Sequence, residues 1–366
     1  MKQIRSAVSA VLLFTVLLAK SAVPGDALSV SAVSAVLMEA ESGRVLYEHN
    51  AYTPMLIAST TKIMTALIVC EQCNVLDRMR IPAEAVGIEG SSMYLQEGEV
   101  LTVQELLYGL MLHSGNDAAV ALAIYCGGTV EGFAQLMNDK ARLLGMTGTH
   151  FENPNGLDSP NHYSTARDLA VLAEYAMENP IFRQTVSTRS VTAGQRHLTN
   201  HNKLLWRVAG ADGVKTGYTK AAGRILVSSA TRDGRRIIAV TINDGDDWAD
   251  HAALLESGFD RFSLQRIVTK GDRVGSVEVV GGGGRQVELL AGEHFVYPIA
   301  PEEYPQVIAG GNDFVYAPVT QGAQAGWGYV MIGGKAVGRI SLVYGQTVEQ
   351  EVPQRKGLFS KLFGGS

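Results

Sequence analysis

Apolar positions recur at helical spacing between residues 59 and 73, where Ile63, Met64, Leu67 and Ile68 share one side, and this spacing predicts a helix. The same period predicts helices over 103–112, 117–125, 131–144 and 165–177, the last opened by Ser164 or Thr165 as its cap. Elsewhere the period is two. Residues 32–38 alternate toward a strand, Glu41-Ser42-Gly43-Arg44 reads as a turn, and Val45-Leu46-Tyr47 returns, which predicts an opening hairpin. Strands are predicted again at 224–230 and 236–242 around the turn Arg232-Asp233-Gly234, followed by a helix over 248–258.

Strand, several helices, strands and a last helix describe an α+β domain rather than alternating βαβ units, and its end is expected near Phe262. Beyond it, 273–279 and 285–289 alternate with period two around the glycines 281 to 284, and no helical period appears up to Glu351. This predicts a small all-β second domain, 263–351, behind a first domain of 28–262. A length of 366 residues agrees with two domains, and 46% hydrophobic with 18% charged residues is a composition that can build large cores. The net charge of −5 leaves no broad basic surface to neutralise phosphates, so nucleic acid is excluded as a partner.

The two termini carry patterns of their own. Lys2 and Arg5, an apolar run from Ala7 to Ala19, and Pro24-Gly25-Asp26-Ala27 follow the order of a secretory signal, which predicts 1–27 as a signal peptide and an exported protein. The apolar run falls short of the roughly 20 residues a membrane-spanning helix needs; an uncleaved anchor is the alternative reading. At the other end, in 352–366, a helical tail would put Leu358, Phe359, Leu362 and Phe363 on one face and Lys356, Ser360 and Lys361 toward the other, the layout of a peripheral membrane contact. Gly357 and the closing Gly364-Gly365-Ser366 suit an unstructured terminus instead. The three cysteines, Cys70, Cys73 and Cys126, are too few for a disulfide framework, and no clustered histidines complete a metal site, so free thiols, no metal and no cofactor are expected.

Three short segments carry candidate chemistry. Ser59-Thr60-Thr61-Lys62 opens the first helix, and three-residue spacing brings the Ser59 hydroxyl within reach of the Lys62 amine, a base that a neutral lysine can supply. The same four residues also suit a plain helix start with a solvated lysine. Ser114-Gly115-Asn116 lies between two predicted helices, where Ser114 can relay a proton and Asn116 can hold an amide, but these are also ordinary turn and cap residues. Lys215-Thr216-Gly217, followed by Tyr218, precedes the strand at Arg224; a glycine beside Lys and Thr lets a substrate backbone lie close and pair as an added strand.

In this order, Ser-x-x-Lys, Ser-x-Asn and Lys-Thr-Gly resemble the penicillin-recognising serine enzymes. The wording around them, with Asn153-Pro154-Asn155-Gly156-Leu157 and His162-Tyr163-Ser164, is similar to the D-alanyl-D-alanine carboxypeptidases among low-molecular-mass penicillin-binding proteins. The resemblance implies a β-lactamase/transpeptidase-like catalytic domain, an antiparallel sheet with helices, and removal of the terminal D-alanine from peptidoglycan stem peptides ending in D-Ala-D-Ala. It also implies covalent capture of β-lactam antibiotics. Ser59 is then the acylated nucleophile, Lys62 its base and Ser114 the proton relay. Asn116 holds the peptide amide, and Lys215 keeps Lys62 neutral by like-charge repulsion. Thr216 and Lys215 meet the substrate carboxylate, Gly217 beside them lets the substrate backbone lie close, and the N–H groups of Ser59 and Tyr218 form the oxyanion hole.

Relatives often place an arginine near the start of the last catalytic-domain helix, where this chain has Asp246-Asp247-Trp248; Arg224 is a cation that either contributes there or covers the sheet. His162, with Asp158 or Asp168, invites a Ser-His-Asp reading, but it and His113 are expected to be structural. The competing functions are a β-lactamase, which would want a Glu-x-x-Leu-Asn stretch absent from 118–214, a D,D-endopeptidase, and a non-catalytic wall-binding scaffold.

Overall fold

A computed structural model of the chain describes residues 28–351. The signal and tail expected at the two termini lie outside those residues. The first unit is built on a five-stranded antiparallel sheet in the order Val45–His49, Ser34–Glu39, Arg235–Ile242, Gly223–Arg232, Ala211–Thr219. Strand Ser34–Glu39 is buried along its whole length because the sheet is covered on both faces. Val36 and Met38 join the large core beneath the helices, while Leu37 between them packs with Leu226, Ile237, Leu254 and Leu255 under the last helix, Asp247–Arg261. Period two therefore places alternate residues in two different cores.

The helices form where the apolar spacing predicts: Lys62–Gln72, Val103–Leu112, Asn116–Gly127, Val130–Leu143 and Ala166–Glu178. Thr165 is the cap of the last, accepting from Asp168 N at 3.0 Å, and Thr102 with Glu105 makes a full capping box on Val103–Leu112. Three elements between 178 and 211 have no counterpart in the sequence pattern. Helix Pro180–Ser187 is started by Asn179, which accepts from Ile181 N and Phe182 N, with Pro180 as its first residue; a hairpin, Ser190–Ala193 with Arg196–Thr199, and the short helix Leu204–Arg207 follow. Each is shorter than the window over which a period can be counted.

The second unit is all β. A six-stranded sheet runs Gln306–Gly310, Gln324–Ile332, Lys335–Tyr344, Gln286–Ala291, Arg273–Val280, Phe314–Tyr316, beside a two-stranded ribbon of Ser263–Val268 and Phe295–Ile299. Arg44, in the turn of the opening hairpin, reaches this unit: it pairs with Glu303, donates to Pro298 O, and lies 5.1 Å from the Phe262 ring centroid and 5.2 Å from that of Tyr297. Among the described residues no single helix is long and apolar enough to cross a membrane.

Candidate active site

Ser59 sits in a single 3₁₀ turn, Ala58–Thr61, that leads directly into helix Lys62–Gln72. The turn is held from below: Thr60 Oγ1 donates to Ile57 O at 2.5 Å, and Ala58 adopts a φ of 44°, a left-handed conformation that a non-glycine residue keeps only when its surroundings impose it. The imposing neighbour is Gly156, where a Cβ would fall 1.9 Å from Ala58 O, so only glycine lets the 153–157 loop lie against the nucleophile's turn.

Lys62 is fully buried. Its Nζ lies 2.9 Å from Ser59 Oγ, 2.7 Å from Asn116 Oδ1 and 2.5 Å from the Asn155 carbonyl oxygen. Burial pushes its pKa well below the usual lysine range, the Lys215 charge pushes it further down, and Asp117 opposes both. The sequence expectation that Lys215 keeps Lys62 neutral is thus corrected in emphasis: desolvation comes first and like-charge repulsion second. Lys215, equally buried, is itself brought to about 7 by desolvation, and its Nζ donates to Thr216 O at 2.9 Å.

A neutral amine has two hydrogens and one lone pair. Asn116 Oδ1 and Asn155 O are acceptors only, so they take both hydrogens, and the lone pair is left for the Ser59 hydroxyl. Asn116 is occupied at its other end too, Nδ2 donating to Glu89 O at 2.5 Å, while its N–H donates to Ser91 O at 2.7 Å. Asn116 therefore also orients Lys62, while the second hydrogen of its Nδ2 has no partner among the described residues. Next to it, buried Asp117 accepts from Met93 N, Leu95 N and Ser92 Oγ, fixing the 89–95 loop to the helix start.

Lys215, Thr216, Gly217 and Tyr218 lie on Ala211–Thr219, the edge strand of the sheet. Its outer edge runs against the Ser59 turn: a Cβ on Gly217 would stand 3.3 Å from both Ser59 N and Ile57 O. An open cleft of about 340 Å³ lies along this edge, lined by Ser59, Ser114, Thr216, Gly217 and Tyr218 together with Ser91, His201, Lys203, Arg224, Asp247 and Trp248. Ser114 takes a left-handed φ of 62° between its two helices, another strained position at the cleft. A larger hollow of about 430 Å³ lies between the two units around Leu264 and Tyr297, away from all of these residues.

Arg224 does reach the cleft. It pairs across the strands with Tyr218, its Nη2 donates to the buried Asp247 carboxylate at 2.5 Å, and its guanidinium carbon lies 5.8 Å from the Trp248 ring centroid. Lys203 Nζ is also 5.8 Å from that ring. The cations at this mouth therefore come from a neighbouring strand and from the 200–204 segment, not from the start of the last helix. His201, Lys203, Ser91 and the Asn155 carbonyl were not singled out in the sequence, because no spacing ties them to the three motifs.

No Ser-His-Asp triad forms. His162 accepts from Glu152 N at Nδ1 (3.1 Å) and lies 2.7 Å from Thr61 Oγ1 at Nε2; burial holds its pKa at about 4, so the ring is neutral and braces the loop against the turn. Asp158 accepts from Thr219 Oγ1, and Asp168 from Gly148 N and Thr149 Oγ1. His113 stacks on His201 with centroids 5.1 Å apart. Among the described residues no His, Cys, Asp and Glu cluster could hold a metal ion.

With this geometry in view, comparison with known proteins gives one consistent picture. The family described as D-alanyl-D-alanine carboxypeptidase matches residues 20–246, and the C-terminal domain of penicillin-binding protein 5 matches 262–350. The chain is 35% identical over 275 residues to the D-alanyl-D-alanine carboxypeptidase DacF of Bacillus subtilis, covering 72% of this chain and 71% of that one. It is 31% identical over 359 residues to DacA of Escherichia coli, covering 92% and 87%. Among solved structures it is similar to penicillin-binding protein 5 from Haemophilus influenzae, with a TM-score of 0.74 and 29% identity over 88% of this chain and 98% of that one.

Proposed function

This chain belongs to the D-alanyl-D-alanine carboxypeptidase family of low-molecular-mass penicillin-binding proteins, and we propose that its chemistry runs through Ser59, with Lys62 as base and Ser114 as proton relay. It is a serine-type carboxypeptidase that removes the terminal D-alanine from peptidoglycan stem peptides, in a family that binds β-lactams. The observation that carries the residue assignment is the set of partners around Lys62 Nζ, two pure acceptors and one hydroxyl.

On this reading Ser59 Oγ attacks the carbonyl carbon of the penultimate D-alanine as Lys62 takes its proton. The developing oxyanion meets the N–H groups of Ser59 and Tyr218. The tetrahedral intermediate expels D-alanine, whose amine receives a proton through Ser114, and water then cleaves the acyl-enzyme. A β-lactam suffers the same attack, but its leaving nitrogen stays tethered in the opened ring. The only carboxylate lining the cleft among the described residues, Asp247, is tied to Arg224, so none is placed to activate water as a β-lactamase would need. We take residues 28–262 as the catalytic domain and 263–351 as the β domain. The deciding experiment incubates purified protein with a stem pentapeptide and with labelled penicillin. D-Alanine release together with stable labelling is expected; rapid turnover of the penicillin would indicate a β-lactamase, and neither reaction would indicate a scaffold.

Thr216, Lys215 and Arg224 are the groups we assign to the terminal carboxylate. A charge-assisted hydrogen bond is worth about 1.5–3 kcal/mol, so Arg224→Gln is expected to lower kcat/KM on the pentapeptide by roughly 10–100-fold. Thr216→Val is expected to slow carboxypeptidase turnover more than acylation by penicillin. Steady-state kinetics on a free and a C-terminally amidated peptide check this: equal losses on both would remove these side chains from carboxylate binding.

Export through residues 1–27 and peripheral attachment through 352–366 complete the proposal. Four apolar side chains contribute roughly 1.5–3 kcal/mol each if fully buried, before the cost of ordering the segment, so attachment should be weak and helped by anionic lipid. The signal-free protein is expected to co-sediment with anionic vesicles, and a form ending at Pro353 to stay in the supernatant. If the two forms partition alike, the tail is not an anchor.

A further inference from the structure

Ser114 holds a left-handed φ of 62° between two helices, and a serine keeps that conformation only where its surroundings impose it. On its C-terminal side the backbone does so: Gly115 N donates to Gly109 O at 3.1 Å and Asn116 N to Ser91 O at 2.7 Å. On its N-terminal side the restraint comes from a distant segment. His113, the cap of helix Val103–Leu112, stacks on His201 with ring centroids 5.1 Å and ring planes 29° apart, while His201 N donates to Leu112 O at 3.2 Å. His201 therefore grips both residues ahead of Ser114, one through its backbone and one through its ring. It also lines the cleft with Ser59, Ser114 and Thr216.

His201 is itself anchored, because it stands between two buried asparagines, Asn200 and Asn202. Asn200 Nδ2 donates to Val186 O at 3.1 Å and to Thr188 O at 3.0 Å, and its Oδ1 accepts from Asn202 N at 2.9 Å. Asn202 Oδ1 accepts from Leu204 N at 3.1 Å, and its Nδ2 donates at 2.8 Å to Gly213 O, on the edge strand that carries Lys215 and Thr216. A segment with no regular structure is thus fixed to the strand that lines the cleft. Burial lowers the pKa of both imidazoles from the ordinary 6.5, so at neutral pH the stack joins two uncharged rings.

We propose that the His113–His201 stack aims the Ser114 hydroxyl at the departing amine, which makes His201 a positioning residue of the reaction. The inference rests on Ser114 as the proton relay. As the tetrahedral intermediate collapses, the C–N bond breaks and its electron pair goes to the D-alanine nitrogen. That nitrogen takes the Ser114 proton, and Ser114 regains one from Lys62, which had taken it from Ser59. An amide nitrogen does not leave as an anion, so the step is sensitive to where the hydroxyl sits. An ester oxygen is a far weaker base and leaves with less help. A ring that aims Ser114 therefore matters for an amide and little for an ester, whereas a ring that binds the terminal carboxylate matters equally for both.

The test measures kcat/KM on a stem pentapeptide ending in D-Ala-D-Ala and on its ester analogue, in which D-lactate replaces the last D-alanine. Both give the same acyl-enzyme, so the ratio of the two isolates departure of the leaving group. His201→Ala is expected to lower the amide rate by about 10–100-fold, the cost of a misplacement of roughly 1 Å, and the ester rate by no more than a few-fold. The ester rate in the same sample reports how much folded enzyme is present. His201→Phe, which keeps a ring to stack, should restore most of the amide rate, and His113→Ala, which removes the stack from the other side, should repeat the selective loss. Ser114→Ala sets the scale with the largest amide-selective loss. If Ser114→Ala behaves so, an unchanged amide rate in His201→Ala, equal losses on both substrates, or no recovery in His201→Phe would each overturn the positioning role alone. Ser114→Ala without amide selectivity would overturn the relay, and this inference with it.

Discussion

Ser59→Ala is expected to abolish both D-alanine release and covalent labelling by penicillin. Removing a nucleophile that acts as a unit with its base costs roughly 10⁶ in kcat, which takes either reaction to background. The fold should not suffer, because the substitution removes one hydroxyl from a partly exposed turn and leaves Lys62 bonded to Asn116 Oδ1 and Asn155 O. Thermal unfolding close to that of the parent protein, with no label after prolonged exposure, is the combination to look for. Labelling at the parent rate would show that the attacking oxygen lies elsewhere, and His162, committed to Thr61 and Glu152 N, offers no second base to explain it.

Lys62→Ala should be nearly as damaging, lowering acylation by about 10²–10⁴-fold, the range for a positioned general base. It also leaves two buried acceptors unpaired and a cavity, so Lys62→Met, which keeps the volume, is the companion variant, and both should be checked for cooperative unfolding. The pH dependence separates base from scaffold. Lys62 acts only when neutral, and its pKa lies well below 10.5, so acylation should fall on acidification as the amine takes a proton and be restored as pH rises through that lowered pKa. A second effect opposes it at higher pH, because Lys215 loses its charge as pH rises through about 7 and attracts the substrate carboxylate less. In the Lys62 variants the acid limb should vanish while the Lys215 effect on KM persists. Acylation at the parent rate by a folded Lys62→Met protein at neutral pH would exclude this lysine as the base.

At Asn116, the expected holder of the substrate amide, the fold adds a second role. From the sequence, Asn116 is a polar residue at a helix start, expected to hold the substrate's peptide amide. In the fold its carbonyl accepts from Lys62 and one of its two amide hydrogens goes to Glu89 O, so the side chain also holds the base and the 89–95 loop while its second amide hydrogen stays available. Arg224 likewise takes its place from the fold. A sequence offers no means to choose between a stem lying on a sheet and a head reaching a cleft, and only the Asp247 carboxylate and the Trp248 ring, brought over from the next helix, decide for the cleft.

What the sequence determined by itself was whatever depends on neighbours close along the chain. The helical periods around Leu67, Leu107 and Leu169, the alternation that sends Val36 and Leu37 to opposite faces, and the three-residue step from Ser59 to Lys62 are local, and each was legible because backbone geometry fixes where such side chains point. The family resemblance added that the three motifs work together. The tertiary structure alone decided what lies between distant segments. It buried Lys62 and Lys215 and so lowered both amines, and it set the Asn155 carbonyl against Lys62 through a contact that only Gly156 allows. Desolvation and hydrogen bonding depend on which surfaces meet, and the meeting of residues 62, 116, 155 and 215 is a property of the packed fold rather than of any stretch of chain.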